Sequence, residues 1–149
     1  MIKRNLHYGD LYKKDRPEYD WIGFTGNSTI NASGGLVMGK GNAYSVRMAC
    51  PGIAKRMGAR IENMSIYHLI FDDESKFFAL QTKIDYRKNS PISLVSDSLD
   101  KLSEFANANP NVKIALPIPG IGIGGLRVSD VANLINDLPQ NIDVWVFTN

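Results

Sequence analysis

The sequence predicts an α/β fold, a sheet with helices over both faces. Three observations predict it. Short apolar runs without polar alternation, such as Val144-Trp145-Val146-Phe147, suit strands buried on both sides. Between such runs lie segments whose apolar residues recur at three- to four-residue steps, the period of an amphipathic helix. The stretch from Val112 to Phe147 reads strand, loop, helix, strand, a compact βαβ unit whose two strands run parallel.

The elements follow in chain order. Ile2 to Leu6 reads as a short strand, followed by Gly9-Asp10-Leu11. Tyr19 to Thr25 reads as a second strand ending at Gly26-Asn27-Ser28. Asn42 to Met57 reads as a helix that Pro51-Gly52 breaks into two. Ser65 to Phe71 and Phe77 to Thr82 are apolar runs, and the acidic turn Asp72-Asp73-Glu74 between them predicts a close pair or hairpin. Ser90 as cap and Pro91 at the first helical position open a helix. Ile92, Val95, Leu99, Leu102 and Phe105 mark its apolar face, and Asn109-Pro110 ends it. Val112 to Leu116 is a short buried strand. Val128, Val131, Leu134, Ile135 and Leu138 mark the last helix, closed by Pro139, and Ile142 to Phe147 is the final strand.

The chain has 149 residues, enough for one domain with a sizeable core, and the expected domain runs over 1–149. Hydrophobic residues make up 44% and charged residues 21%, which suits a core under a soluble surface. The net charge of +2 gives no global attraction to nucleic acid. The basic clusters Lys13, Lys14, Arg16 and Arg87, Lys88 read as solvated loops. The single cysteine, Cys50, excludes an internal disulfide and reads as a buried structural thiol. No apolar run approaches the ~18 residues of a membrane span and no signal-peptide pattern opens the chain, so a cytoplasmic protein without membrane contact is expected. Two histidines and one cysteine without ligand spacing offer no metal site, and no cofactor is implied.

Two glycine-rich segments carry the functional information. The first runs Gly34-Gly35-Leu36-Val37-Met38-Gly39-Lys40-Gly41-Asn42-Ala43, the second Leu116-Pro117-Ile118-Pro119-Gly120-Ile121-Gly122-Ile123-Gly124-Gly125-Leu126. Each opens into a helix. Glycine lets backbone N–H groups approach a ligand, and a helix start adds positive potential. Two such loops at the carboxyl edge of one sheet would hold a diphosphate between them. The glycine spacing departs from G-x-G-x-x-G, which argues against a nicotinamide dehydrogenase. Lys40 does not sit in a Walker A sequence, which argues against an ATPase.

Gly9-Asp10-Leu11-Tyr12, Met38 to Ala43, Leu80-Gln81-Thr82-Lys83, Leu116 to Leu126 and the closing Val146-Phe147-Thr148-Asn149, in that order, resemble the macrodomain family. The resemblance is to the branch that includes the terminal ADP-ribose protein glycohydrolase and the chromatin-remodeller macrodomain, and it covers nearly the whole chain. It implies a three-layer α/β/α sandwich around a mixed sheet. It also implies that ADP-ribose or a derivative is the ligand, free or attached to a protein or nucleic acid.

The same resemblance assigns roles. Asp10 matches the aspartate that accepts from the adenine amino group, with the Leu11 backbone N–H beside it. Phe147 matches an aromatic that packs on adenine. Gly39, Lys40, Gly41 and Asn42 match the loop near the distal ribose and phosphates. Pro117, Gly120, Ile121, Gly122, Ile123, Gly124, Gly125 and Leu126 match the diphosphate loop. Asn27 and Asn31 stand where the commoner members carry an Asn-Ala-Ala-Asn run. Either is placed to reach a ribose hydroxyl, Asn27 being nearer the strand end.

Lys83 falls at the lysine that attacks the anomeric carbon in the glycohydrolase branch, but Gly124 stands where that branch has its acid/base aspartate. A lysine nucleophile needs a partner that protonates the leaving group, and nothing from Pro117 to Leu126 carries such a proton. Asp85 substitutes only if its loop folds back. Binding is therefore the leading expectation. The alternatives are hydrolysis of acyl-linked ADP-ribose or deacylation of O-acetyl-ADP-ribose through Lys83, a phosphatase acting on ADP-ribose 1″-phosphate, and a sponge or sensor for ADP-ribose-derived nucleotides. For the phosphatase, His7 is placed to border the pocket, and His68 reads as a core histidine within a strand.

Overall fold

The computed structural model describes residues 1–121 and 124–148. Its strands are β1 (His7–Tyr8), β2 (Trp21–Gly26), β3 (Leu69–Asp72), β4 (Phe77–Gln81), β5 (Ile114–Pro117) and β6 (Ile142–Val146). Its helices are α1 (Gly41–Ala49), α2 (Ile53–Ile61), α3 (Ile92–Ala108) and α4 (Val128–Asn136). The six strands form one mixed sheet in the order β1-β6-β5-β2-β4-β3. All neighbours are parallel except β3, which pairs antiparallel with β4 through the acidic turn.

Alternation along the strands divides the interior between the two faces of the sheet. Phe78 and Leu80 of β4, Ile114 and Leu116 of β5, and Ile142 and Val144 of β6 face α3 and α4, where Val95, Leu99, Leu102, Val131 and Ile135 meet them. Ala79, one residue out of phase with Phe78, joins Phe24 and Ile70 on the other face, under Val46, Ile53, Met57 and Ile61 of α1 and α2. Period-two strands buried on both faces read as continuous apolar runs for this reason. The layers are therefore helix, sheet, helix. The break between α1 and α2 falls at Pro51-Gly52, as expected. α2 lies so close to the preceding loop that a Cβ on Gly58 would overlap the Gly34 carbonyl.

Four expectations shift. The first strand is not Ile2 to Leu6 but the two residues His7–Tyr8, paired with Trp145 and Val146. Arg4 is the cause: its guanidinium donates to the carbonyls of Ile135, Leu138, Pro139 and Ile142, which ties the segment to the turn after α4 instead of to a ladder. The Ser65–Phe71 run pairs only from Leu69, because His68 takes a left-handed φ of 62°. His68 consequently lies outside the strand. α3 begins one residue later than expected: Pro91 is its N-cap, no side chain caps it, and the Ser90 hydroxyl is buried without a partner. Cys50 is half-buried, not buried, and accepts from Arg56 Nη2 at 3.3 Å.

Candidate functional site

Because β1, β2, β4, β5 and β6 run parallel, their carboxyl ends share one edge of the sheet. The chain leaves that edge at Gly9, Asn27, Thr82, Ile118 and Phe147. A two-armed cleft opens there, where ligands of parallel α/β sheets sit. One arm, of about 510 Å³, lies over the ends of β2 and β4. The other, of about 390 Å³, lies over the ends of β1 and β6. Asn42, Ile118 and Ile121 line both, so the arms meet over β5.

The second arm is mostly apolar. Leu11, Pro117, Ile118, Trp145, Val146 and Phe147 line it. Phe147 is 67% exposed and stands over the arm, out of the core, while Leu11 is buried beneath. Asp10 lies between the wall residues Gly9 and Leu11, and its Oδ1 accepts from the Tyr12 amide at 3.0 Å. Gly41 belongs to this arm.

The first arm is basic. Lys40, Lys83, Arg87 and Lys88 line it, with no carboxylate among the described residues of its wall. Lys83 sits at the end of β4's extension, only 9% exposed, with Nζ donating to the Tyr86 carbonyl at 3.4 Å. Burial, and then the charge of Lys40, hold its ammonium below the ordinary lysine range. Asp85 is outside the wall; the Arg87 guanidinium grips it at 2.9 Å and, with the Arg87 amide, holds its carboxyl down at about 2. It stays ionised near neutrality and has no proton to donate, so it does not replace the absent aspartate.

The first glycine segment and the asparagines build the wall between the arms. α1 starts at Gly41 with Lys40 as N-cap and no side-chain cap, so its first N–H groups open on the cleft. Gly39, Lys40 and Asn42 line the basic arm. Asn42 Oδ1 accepts from the Thr25 amide at 2.6 Å, locking the helix start onto β2. Asn27 lines the basic arm, whereas Asn31 does not. The Asn27 amide is committed to its own loop, donating to the Val37 carbonyl at 3.1 Å and accepting from the Thr29 amide at 2.8 Å. Asn31 closes a separate turn by accepting from Ser33 and Gly35.

Gly122 and Ile123 lie outside the described residues. Around them the second loop closes on itself: Leu126 N–H donates to the Gly120 carbonyl at 2.9 Å, and Gly120 takes a φ of 78°, open to glycine. Gly120, Ile121 and Gly124 face the cleft; Gly125 is turned to Asn89, and Leu126 packs beneath Gly120. A Cβ on Gly124 would stand 2.8 Å from the Ser90 hydroxyl. A side chain at the position expected to carry an acid must thus displace the Ser90 hydroxyl.

Several wall residues were not evident from the sequence: Thr25, Thr82, Tyr86 and Trp145 among them. Arg87 and Lys88 are exposed, as expected of a solvated run, and they also rim the basic arm, because the loop after Lys83 turns back over it. Their position just past a parallel strand's carboxyl end was the available signal. His7 does not border the cleft. It stacks on Trp145, with ring centroids 5.2 Å apart, and faces Asp143 on a separate cavity. No group of three or more His, Cys, Asp or Glu residues gathers among the described residues, and no described helix is long and apolar enough to cross a membrane.

No protein-family model and no curated protein matches the chain. Solved structures do. Thermosipho africanus DarTG in complex with ADP-ribose superposes with a TM-score of 0.72 at 20% identity, over 97% of this chain and 43% of that one. The macrodomain of Thermus aquaticus DarG gives 0.69 at 23% identity, over 97% and 99% of the two chains. The macrodomain of Mycobacterium tuberculosis DarG gives 0.69 at 20% identity, over 97% and 98%. Shared along nearly the whole chain, with the mixed six-stranded sheet between paired helix layers, this architecture is the macrodomain fold.

Proposed function

We propose that the protein binds ADP-ribose or an ADP-ribose-containing nucleotide in the two-armed cleft. The observation that carries this reading is the pairing of an apolar, aromatic-walled arm with a basic arm across a glycine loop. A nucleobase suits the apolar arm, and a diphosphate with its second ribose suits the basic arm. In this reading Phe147 and Leu11 flank adenine and Asp10 accepts from its amino group. The second glycine loop, at Gly120 and Ile121, and the start of α1 supply backbone donors to the phosphates, and Asn27, Gly39, Lys40 and Asn42 surround the distal ribose. ADP-ribose bound to the T. africanus structure supports the ligand class.

Titration calorimetry with ADP-ribose and AMP tests the proposal. ADP-ribose should bind at least tenfold more tightly, because AMP leaves the basic arm mostly empty; equal affinities would overturn it.

The buried, cavity-lining Lys83 favours a second reading, hydrolysis of an acyl-linked ADP-ribose with Lys83 as nucleophile. Binding ranks ahead because the wall around Lys83 presents no described carboxylic acid to the leaving group.

A further inference from the structure

Gln81, the last residue of β4, is fully buried and absent from the walls of the cleft, yet its carboxamide is fully used. Oε1 accepts from the Tyr67 amide at 2.7 Å and from the His68 amide at 3.0 Å. Nε2 donates to the Ser65 carbonyl at 2.8 Å and to the Lys83 carbonyl at 3.1 Å. Two acceptor sites and two donors are all that a glutamine amide offers.

We propose that Gln81 is the positioning residue of the cleft, fixing the backbone of Lys83 on one arm of its amide and that of Asn27, through Tyr67, on the other. At Lys83 the tether completes a clamp. Past β4 the ladder ends: the Thr82 and Lys83 amides share the single Gly26 carbonyl, at 2.9 and 3.2 Å. The Lys83 carbonyl in turn accepts from the Gln81 side chain, two residues back. At Tyr67, Oε1 seats the backbone from which the ring reaches under β2, and the Tyr67 hydroxyl donates to the Asn27 carbonyl at 2.9 Å. The same amide holds His68 at its left-handed φ of 62°, assisted by the Gln81 N–H donating to the His68 carbonyl at 2.8 Å. One buried amide thus joins two walls of the basic arm that are far apart in sequence, and an aliphatic side chain of the same length would take the Gln81 acceptor from the Tyr67 and His68 amides and the Gln81 donor from the Lys83 carbonyl, while the Ser65 carbonyl would keep the Ser28 hydroxyl.

This inference rests on the reading of the cleft as a ligand site only for its functional meaning; its geometry is tested without ligand. In protein labelled with ¹³Cε-lysine, the Lys83 resonance, assigned with Lys83→Arg, is followed against pH by NMR. Gln81→Met should move the Lys83 titration upward toward that of an exposed lysine, as the released segment lets the amine reach water. Tyr67→Phe, which severs only the Asn27 arm, should leave it in place. An unmoved titration in folded Gln81→Met would overturn the proposal, as would an equal movement in Tyr67→Phe, which would signal general loosening. Where Gln81→Met does not fold, the wild-type carboxamide decides: Gln81 Nε2 protons protected from solvent exchange support the tether, and exchange as fast as an exposed glutamine's refutes it. ADP-ribose is titrated separately. Failure of the wild-type protein to bind it would sink the ligand reading while leaving the result on Gln81 standing.

Discussion

Lys83 illustrates how one residue joins stability to chemistry. Its folded-state affinity for the proton is depressed by burial and by Lys40, while in the unfolded chain it is an ordinary lysine. Between those two values the unfolded state binds more protons, so stability rises with pH across that window, and below it the protein carries the full cost of a buried ammonium. Lys83→Met should therefore raise stability near neutrality, on the order of 1 kcal/mol, and flatten that rise; denaturant melts at neutral and alkaline pH check both. Gly124 makes a second residue-scale case. Gly124→Asp alone must push its Cβ into the Ser90 hydroxyl, so the single variant should lose stability without gaining hydrolysis. Ser90→Ala removes the obstructing hydroxyl. The double variant should hydrolyse acyl-linked ADP-ribose faster than wild type, toward the about 10²–10⁴-fold that a general acid contributes. The gain should vanish with Lys83→Ala in a single-turnover assay.

At the scale of elements, the tie between α2 and β3 shows what holds the helices over the sheet beyond apolar contact. Arg56 donates from Nε and Nη2 to the buried Asp72 carboxylate, at 3.0 and 2.9 Å. The guanidinium holds the Asp72 carboxyl below the usual carboxylate range. The pair's contribution is then complete above the unfolded value of about 3.9 and is lost as pH falls through the lower folded value. Arg56→Met should cost about 1–3 kcal/mol at pH 7, and the difference from wild type should shrink below pH 4 in urea melts. Most elements were legible because their signals are local. Pro51-Gly52 divides two helices, the acidic turn makes a hairpin, and the βαβ unit from β5 to β6 follows from connection rules. The start of the chain and the Ser65–His68 segment were not, because their geometry is set by partners remote in sequence: four carbonyls around α4 for Arg4, and the Gln81 amide for Tyr67 and His68. The site divides in the same way. Loops announced by glycine were placed at the correct edge, whereas Arg87 and Lys88 carry no local sign of which way their loop turns.

For the whole molecule, the near-zero net charge conceals a local excess of cations, even with Arg87 paired to Asp85. The chain carries only +2, yet the wall of one arm gathers Lys40, Lys83, Arg87 and Lys88. Low-dielectric walls focus such a field, and salt screens it. Raising ionic strength from about 0.05 to about 0.5 M should weaken ADP-ribose binding on the order of tenfold while leaving adenosine nearly unaffected, by calorimetry. The cleft has a further consequence through its assembly. Its walls come from Gly9, Thr25, Lys40, Lys83, Ile118 and Phe147, which meet only because strands distant along the chain are neighbours in the sheet. No single hairpin or helix pair holds even half of these walls, so the cleft is a collective property of the whole sheet. A nucleotide bridging both arms would act as a staple across the sheet's whole width, resisting the separation of segments that never touch one another directly.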